Sequence, residues 1–371
     1  MKKISLFIVV FVTTIAFAQA PANYYTAANG FSGYTLKSKL KTIITTGHND
    51  QGYSGLWQAY FNSDRDNGIG FENDNTIVDI YSENPSGADP YNFTYDTNQC
   101  GTYANEGDCY NREHLVPQAY FDGVATNPMK NDAFHVMPTD GKVNGIRDNF
   151  PFGVVNVATL TTQNGSKKGS NLNSGYSAGY TATVFEPIDE FKGDIARCLL
   201  YFATRYENSM VAFYTAASVQ SKDMFDGSAD QVFSPTFLNI LLTWNQLDPV
   251  SIKETKRNNA LYGYQGNRNP YIDNNAYVTS IWGLPLATPR FDSLQSVLIF
   301  PNPVTNHLLN IRTDSNLMTI QLININGQVV QTIQKPMVLD GIYQLQNIAS
   351  GFYFLKISDE NQTVTKKIMV D

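Results

Sequence analysis

The stretch Asn111-Arg112-Glu113-His114, together with Val143-Asn144-Gly145-Ile146-Arg147 further along the chain, decides how this sequence is interpreted. The two segments supply a carboxylate, an imidazole, an amide and two guanidinium groups. The chain has 4 histidines, and both His114 and His135 fall in this window. These are the groups needed to bind a hard divalent cation, to deprotonate water and to neutralise a phosphodiester. The window therefore favours hydrolysis of nucleic acid.

Each of these groups has a predicted role. His114 is the predicted general base, because an unperturbed imidazole titrates close to neutral pH. Glu113 and Asn144 are the predicted ligands of Mg²⁺, which keeps most of its water molecules and needs only one or two protein ligands. Arg112 and Arg147 are predicted to contact the non-bridging oxygens of the phosphate.

The Glu-His pair presents a geometric difficulty. Neighbouring residues on a regular strand point to opposite faces, so Glu113 and His114 cannot both reach one site from ideal β geometry. They can act together if the backbone is twisted or bulged, or if the cation lies at the edge of the strand. Pro117, close downstream, favours an early end to the strand.

Each residue also has a purely structural alternative. A Glu-His pair is often an ion pair at the surface, and Asn144-Gly145 taken alone is typical of a turn. His135 lies between Phe134 and Val136. This position favours a structural role, in which His135 packs in the core or orients a site residue.

The first residues of the chain predict export. Two lysines precede an apolar run from Ile4 to Phe17, and small residues follow, so residues 1–18 are a predicted signal peptide cleaved after Ala18, with Ala20 as a second option. A short membrane anchor is the alternative, but the run is too short to span a bilayer. No other uninterrupted apolar stretch approaches about 18 residues. We therefore expect a secreted protein with no stable membrane span.

The net charge of −7 argues mildly against a nucleic-acid-binding protein, because phosphate contacts need Lys and Arg. The local distribution of charge is more favourable. Between residues 141 and 170 the chain carries Lys142, Arg147, Lys167 and Lys168 against Asp148 alone. A basic strip on an acidic body would accommodate a polyanion.

The chain has three cysteines, and the predicted export would place them in an oxidising compartment. Cys100 and Cys109 flank a short loop immediately before Glu113, and we expect a disulfide between them. Cys198 lies in an apolar helical pattern and is predicted to be a buried free thiol. A zinc site is disfavoured, because no histidine or cysteine pair has the required spacing.

The length of 371 residues predicts two or three domains. Residues 77–81 are a predicted strand, and the Gly/Ser/Asn/Lys-rich residues 165–179 are a predicted exposed loop. Apolar residues at helical spacing predict helices over 34–46, 53–61, 189–208, 235–246 and 249–262.

The chain changes character after a predicted linker at residues 285–297. Short alternating runs in residues 298–371 are separated by turns such as Ile325-Asn326-Gly327. This pattern predicts a small C-terminal β-sandwich, separate from a domain at residues 19–284.

The central window resembles the secreted bacterial endonuclease I family. The resemblance covers about residues 31–283 and is carried by several ordered motifs, of which any one alone would be unspecific. The motifs are Asp108-Cys109-Tyr110-Asn111-Arg112-Glu113-His114-Leu115-Val116-Pro117-Gln118, Asp132-Ala133-Phe134-His135-Val136-Met137-Pro138-Thr139-Asp140, Val143-Asn144-Gly145-Ile146-Arg147-Asp148-Asn149, Phe185-Glu186-Pro187, Phe191-Lys192-Gly193-Asp194 and Gln265-Gly266-Asn267-Arg268-Asn269-Pro270-Tyr271.

The resemblance implies an α+β fold in which a mainly helical nuclease domain surrounds a ββα-metal, or His-Me finger, motif. It implies that His114 is the general base and that Glu113 and Asn144 bind Mg²⁺, with Mn²⁺ or Ca²⁺ as alternatives. Arg112 matches the arginine two residues before the base in related Asp-Arg-Gly-His nucleases. Members of the family commonly contain a disulfide, which fits a bond between Cys100 and Cys109. The chain departs from many members at Phe134, where they have a second histidine.

Three further residues in or beside these motifs are predicted to bind substrate, namely Lys142, Asn149 and Arg268. The backbone contacts that such residues make carry no sequence information. We therefore expect little discrimination between base sequences.

The C-terminal segment resembles the type IX secretion sorting domain of certain Gram-negative bacteria. The motifs are Phe300-Pro301-Asn302-Pro303-Val304, Gly351-Phe352-Tyr353-Phe354-Leu355-Lys356-Ile357 and Lys366-Lys367-Ile368-Met369-Val370. The resemblance implies that the type IX secretion machinery is a partner; an accessory binding sandwich is the alternative.

The combined expectation is a secreted Mg²⁺-dependent endonuclease that cleaves DNA, with RNA as a further substrate, and leaves 5′-phosphate products. Two alternatives stay open. One is a non-catalytic surface adhesin on a nuclease-like fold, and the other is a different secreted metallo-phosphodiesterase. Nothing in the sequence predicts the oligomeric state.

Overall fold

The computed structural model describes residues 20–121, 128–283, 297–313, 317–338, 341–359 and 363–370. The chain divides into two compact units, Met1–Ala287 and Thr288–Asp371. The predicted signal peptide and all of the predicted linker except Val297 lie outside the described residues.

The first unit is mainly helical in its described part. None of the helices in the described ranges is long and apolar enough to cross a membrane. The α-helices are α1 (Gly33–Thr45), α2 (Leu56–Ser63), α3 (Gln118–Phe121), α4 (Gly141–Arg147), α5 (Lys192–Arg205), α6 (Glu207–Ala216), α7 (Pro235–Leu247), α8 (Ile252–Gln265), α9 (Pro270–Asp273) and α10 (Ala276–Trp282).

Helix α5 is the centre of the first unit's core. Nearly every residue of the helix is buried, and Ile195, Leu199 and Phe202 are fully so. The sequence predicts one helix over 189–208, whereas the structure ends α5 at Arg205 and starts α6 at Glu207. Tyr206 leaves the helical conformation between them, and its hydroxyl donates to the buried Asp132 carboxylate at 2.7 Å. A tertiary hydrogen bond thus accompanies a break that helical periodicity cannot reveal.

Five strands of the first unit form two antiparallel sheets within the described residues. The strands are β1 (Tyr110–His114), β2 (Val136–Asp140), β3 (Val155–Thr161), β4 (Lys167–Asn171) and β5 (Thr183–Glu186). Strands β1 and β2 form one sheet, and β3-β4-β5 form the other.

Two local predictions are wrong for tertiary reasons. The predicted loop at 165–179 contains β4, which lies between β3 and β5 and hydrogen-bonds to both. The predicted strand at 77–81 is reduced to a single bridge between Ile77 and Arg65. Both outcomes depend on whether other segments are available as strand partners, and a short local pattern does not contain that information.

Strands β1 and β2 and helix α4 form a continuous ββα unit. The two strands pair residue for residue, with Glu113 opposite Met137 and His114 opposite Val136. The Asp140 side chain then accepts a hydrogen bond from the Val143 amide at 2.7 Å and caps α4 directly after β2. The Asn144-Gly145 pair consequently lies within a helix rather than in a turn.

The second unit is rich in strands, as predicted. Its described strands form two antiparallel sheets, ordered β10-β7-β6 and β12-β11-β8-β9, and residues of both sheets contribute to one buried apolar cluster. The strands are β6 (Leu298–Phe300), β7 (Leu308–Arg312), β8 (Thr319–Asn324), β9 (Val329–Gln334), β10 (Ile342–Gln346), β11 (Gly351–Ser358) and β12 (Thr363–Val370).

Candidate active site

A pocket of about 330 Å³ lies between the end of β1 and helix α4. Glu113 and His114 both line it, although they are neighbours on a strand. The pairing with β2 is regular through His114, where β1 ends, so the pair reaches the pocket from the end of the strand without a bulge. Asn144 and Arg147 line the pocket from α4.

The hydrogen bonds of His114 determine which of its ring nitrogens carries the proton. Nε2 lies 3.0 Å from the backbone carbonyl oxygen of Lys130, which can only accept a hydrogen bond. Nε2 is therefore protonated, and in the neutral ring Nδ1 keeps its lone pair. The side-chain amide of Gln118 donates to Nδ1 at 3.4 Å. The ring is thus held in the tautomer that leaves Nδ1 as a base.

The surroundings of His114 keep the imidazole neutral. Burial, followed by repulsion from His135, lowers the pKa of His114 to about 3. The rings of Tyr53 and His135 lie 5.9 and 5.8 Å from the His114 ring. The His114 ring is therefore packed on two sides and is uncharged at neutral pH.

Glu113 is a buried carboxylate held by two donors. Its side chain is 3% exposed, and Oε1 accepts from the Tyr81 hydroxyl and from Arg147 Nη1, both at 2.9 Å. Burial raises the pKa of Glu113, and the nearby Arg147 guanidinium partly offsets that effect. Because both hydrogen bonds converge on Oε1, the second carboxylate oxygen is left for another ligand.

Arg147 does not have the surroundings expected of a phosphate contact. Its side chain is 1% exposed. Nη1 also donates to the His114 carbonyl at 3.0 Å, and Nη2 donates to the Leu115 carbonyl at 2.7 Å. Both terminal nitrogens therefore already bond to the protein, and these contacts hold the end of β1 against α4.

Asn144 is oriented by Asn111, a residue that the sequence did not single out. The Asn144 side-chain nitrogen donates to Asn111 Oδ1 at 2.7 Å, so the side-chain oxygen of Asn144 is not the atom used in that bond. Asn111 and Glu113 are two residues apart on β1 and so share a face. The sequence could have indicated Asn111 through this spacing, because residues two apart on a strand point to the same side. The sequence contains no comparable indication for the two other partners, Tyr81 on Glu113 and the Lys130 carbonyl on His114.

The groups around the pocket fit a hard dication. A carboxylate oxygen and an amide oxygen are the donor types that Mg²⁺ and Ca²⁺ select, and Mg²⁺ completes its shell with water. One carboxylate and one amide would not make a closed, all-protein cage. Glu113 and Asn144 could therefore hold a cation that stays accessible from the pocket.

Arg112 stands at the edge of the pocket and is partly exposed. Its guanidinium carbon lies 3.5 Å from the centroid of the Tyr53 ring and 4.5 Å from that of Trp57. Nη1 donates to the Tyr53 carbonyl at 2.8 Å. Stacking and one hydrogen bond hold the guanidinium in place, and the structure brings it together with Glu113 and His114.

The three predicted substrate-binding residues fall in different places. Asn149 lines the pocket, whereas Lys142, on α4 and partly exposed, does not. Arg268 is buried elsewhere, where Nε and Nη2 each donate to the Asp273 carboxylate at 2.7 Å. The Arg268 guanidinium is therefore already paired within the protein, away from the pocket.

The predicted structural residues surround the ββα unit. His135 is fully buried, and Nε2 donates to the Met129 carbonyl at 2.6 Å. The predicted disulfide between Cys100 and Cys109 is present, with the Cα atoms 5.6 Å apart, directly before β1. Cys198 is a buried free thiol, as predicted. Phe134, at the departure from the family pattern, packs against Tyr201 with the ring centroids 4.9 Å apart.

Comparison with known proteins assigns the first unit to a family. The chain belongs to the Endonuclease I family, whose model matches residues 32–276. Residues 298–371 match the model of the secretion system C-terminal sorting domain. The protein is therefore secreted, as the sequence predicts.

Three similar proteins are named as nucleases. An extracellular ribonuclease of Bacillus amyloliquefaciens is 35% identical over 261 residues, which cover 70% of this chain and 78% of the relative. An extracellular ribonuclease of Bacillus subtilis (strain 168) is 34% identical over 260 residues, with the same coverage of 70% and 78%. Endonuclease-1 of Buchnera aphidicola subsp. Baizongia pistaciae (strain Bp) is 26% identical over 144 residues, covering 39% of this chain and 46% of the relative.

Proposed function

We propose that this protein is a secreted, metal-dependent endonuclease with a ββα-metal, or His-Me finger, site. His114 is the general base, and Glu113 and Asn144 hold Mg²⁺, with Mn²⁺ or Ca²⁺ as alternatives. The observation that supports this proposal is one pocket that joins the accepting Nδ1 of His114 to the oxygen donors Glu113 and Asn144. A general base and a cation site side by side are the requirement for hydrolysis of a phosphodiester.

His114 moves one proton in the proposed reaction. A water oxygen attacks phosphorus, and Nδ1 takes its proton as the bond from phosphorus to the 3′ oxygen breaks. The Lys130 carbonyl, already bonded to Nε2, stabilises the imidazolium that forms. When bound, Mg²⁺ supplies positive charge to the scissile phosphate and the leaving oxygen. The 3′ oxygen takes a proton from solvent, and the products carry a 5′-phosphate and a 3′-hydroxyl.

The proposed substrates are DNA and RNA, cleaved with little regard to sequence. The names of the Bacillus relatives support RNA, and the family name and the Buchnera relative support an endonuclease acting within a chain. Arg112 and Asn149 are the proposed contacts to the phosphate backbone, and Lys142 adds positive charge on α4. Backbone contacts position a substrate without reading its bases.

In this proposal the two ends of the chain, on either side of the catalytic domain, serve export. Residues 1–18 are a signal peptide, 19–284 the catalytic domain, 285–297 a linker and 298–371 a β-sandwich recognised by the type IX secretion machinery. The two sheets that share one apolar cluster support the sandwich.

The decisive test is a digestion panel with purified protein. Double-stranded DNA, single-stranded DNA and RNA are incubated with Mg²⁺, Mn²⁺, Ca²⁺ or EDTA, and the products are resolved by size and tested for 5′-phosphate. We expect internal cleavage with Mg²⁺ and none with EDTA, because the cation is part of the site. Intact nucleic acid in Mg²⁺ at neutral pH would sink the proposal and favour a non-catalytic binding protein.

Arg112→Ala is expected to lower kcat/KM for DNA about 10- to 100-fold, because a charge-assisted hydrogen bond contributes about 1.5–3 kcal/mol. Initial rates on a defined duplex measure the effect. Arg65→Ala is the matched control: Arg65 also stacks on an aromatic ring, 3.8 Å from the Phe61 centroid, and donates to a carbonyl at 2.7 Å, but it does not line the pocket. Equal losses in the two variants would contradict a substrate contact at Arg112.

A further inference from the structure

A second group of acidic side chains lies in the first unit, apart from the pocket. Ligand oxygens of Glu72, Glu83 and Asp89 lie within 4.8 Å of one another. None of the three residues lines the pocket that contains Glu113. The group therefore has no part in the proposed phosphodiester chemistry.

The acidic group includes an unsatisfied buried carboxylate. Glu83 is 1% exposed, and its Oε1 is buried without a hydrogen-bond partner among the described residues. Buried polar atoms are normally bonded, and a buried unpaired carboxylate oxygen is costly. An exposed acidic patch would not carry that cost, because water would solvate each oxygen. Glu83 Oε1 thus points to a ligand that is not a protein side chain.

Asp66, beside the group, also has a buried carboxylate oxygen without a partner in the described part of the chain. It is also 1% exposed, and its Oδ1 is buried without a hydrogen-bond partner among the described residues. Its other oxygen, Oδ2, accepts from the Asn73 and Asp74 amides, so the carboxylate is fixed on one side only. Asp66 is close enough to add to the negative charge at Glu83. Two unpaired carboxylate oxygens therefore come from separate turns of the chain.

Within the described part of the chain, no ion pair includes any of these four carboxylates. Like charges at this separation repel, and burial strengthens the repulsion. Some other buried carboxylates of the unit have cationic partners: Asp194 bonds to Lys253 at 2.6 Å, and Asp132 to Arg205 at 2.8 Å.

Asp79 and Asp140 are buried without an ion pair among the described residues, but both oxygens of each accept hydrogen bonds from backbone amides. Glu83 Oε1 and Asp66 Oδ1 have neither kind of partner in the described part of the chain.

We propose that Glu72, Glu83 and Asp89, with Asp66 beside them, bind one Ca²⁺ ion that stabilises the loops of residues 66–89. Ca²⁺ takes 6–8 oxygen ligands from carboxylates, carbonyls and water, whereas Mg²⁺ uses one or two carboxylates. Several carboxylates around one point consequently favour Ca²⁺. Extracellular modules bind Ca²⁺ with dissociation constants of about 10⁻⁴–10⁻³ M, which suits a secreted protein.

The test is thermal unfolding of the full chain in EDTA, in CaCl₂ and in MgCl₂. We expect Ca²⁺ at millimolar concentration to raise Tm by about 3–6 °C, because a ligand that binds only the folded state stabilises it. Mg²⁺ is expected to raise Tm less. Glu83→Gln is expected to abolish the Ca²⁺ shift while being at least as stable as wild type in EDTA, since an uncharged amide removes the repulsion.

Further variants separate this site from the proposed catalytic one. Glu72→Gln alters an exposed member of the group, so it tests the site even if Glu83→Gln fails to fold, and Glu190→Gln is the matched exposed control. Glu113→Gln should retain the Ca²⁺ shift, whereas Glu72→Gln should lose most of it. No shift in wild type, an undiminished shift in Glu72→Gln, or a shift lost only in Glu113→Gln would each overturn the proposal. All of these measurements are shifts in Tm, so none of them depends on nuclease activity.

Discussion

His114→Ala is expected to lower the rate of DNA cleavage about 10²- to 10⁴-fold, the usual contribution of a general base. The imidazole is held by the Lys130 carbonyl on one side and by Gln118 on the other, with Nδ1 as its basic atom. Alanine removes that atom, and water in its place is a far weaker base. The effect should fall on kcat, because the proton moves in the transition state rather than on binding.

The measurement is single-turnover cleavage of a defined duplex at saturating Mg²⁺, with circular dichroism to confirm folding. Added imidazole is expected to restore part of the lost rate in His114→Ala, since a small base can occupy the space left by the side chain. His48→Ala is the control, because His48 is another histidine of the first unit and does not line the pocket. Full activity in a folded His114→Ala variant would refute the assigned base.

Arg147→Ala is expected to lower the free energy of unfolding by about 3–5 kcal/mol, the cost of leaving the other partner of a buried ion pair uncompensated. The buried partner is Glu113, whose Oε1 would retain only the Tyr81 hydroxyl. The carbonyls of His114 and Leu115 would lose their donors as well. Because the same guanidinium holds Glu113 and the end of β1, folded Arg147→Ala should also bind the proposed catalytic cation more weakly.

Urea unfolding measures the first effect, and the Mg²⁺ concentration for half-maximal cleavage measures the second. Arg268→Ala is the matched control: it also removes a buried arginine from a carboxylate, Asp273, but away from the pocket. We expect Arg268→Ala to be destabilised with an unchanged Mg²⁺ requirement. An Arg147→Ala variant that keeps wild-type stability, or an Mg²⁺ requirement equally altered in both variants, would show that Arg147 does not position Glu113.

The local parts of the structure were the parts that the sequence predicted well. The disulfide needed only two cysteines at short spacing in an exported chain, and the pair is present. The strand-rich C-terminal unit followed from alternating runs between turns, although the pairing of β7 with β10 and of β8 with β11 joins strands that are not consecutive in the chain. Helix α1 begins and ends within about one residue of its predicted bounds, because its apolar spacing is regular.

Tertiary partners caused the departures. Strand β4 forms because β3 and β5 lie on either side of it, and residues 77–81 do not form a strand because their groups serve other contacts. Asp79, for example, accepts from the Asp140 amide at 2.6 Å across a separation of 61 residues. No window of local sequence contains such a partner, so propensity alone gives the wrong element.

The sequence by itself determined which chemical groups the protein has available, and it placed Glu113, His114 and Asn144 in two short motifs. Only the tertiary structure decided what each group does. Arg147 and Arg112 are the same residue type in neighbouring motifs, yet one is buried on Glu113 and the other stands at the pocket edge on Tyr53. The proton position on His114 depends on the Lys130 carbonyl, a backbone atom common to every residue type. Burial and hydrogen-bond partners set these roles, and both arise only when distant segments pack together.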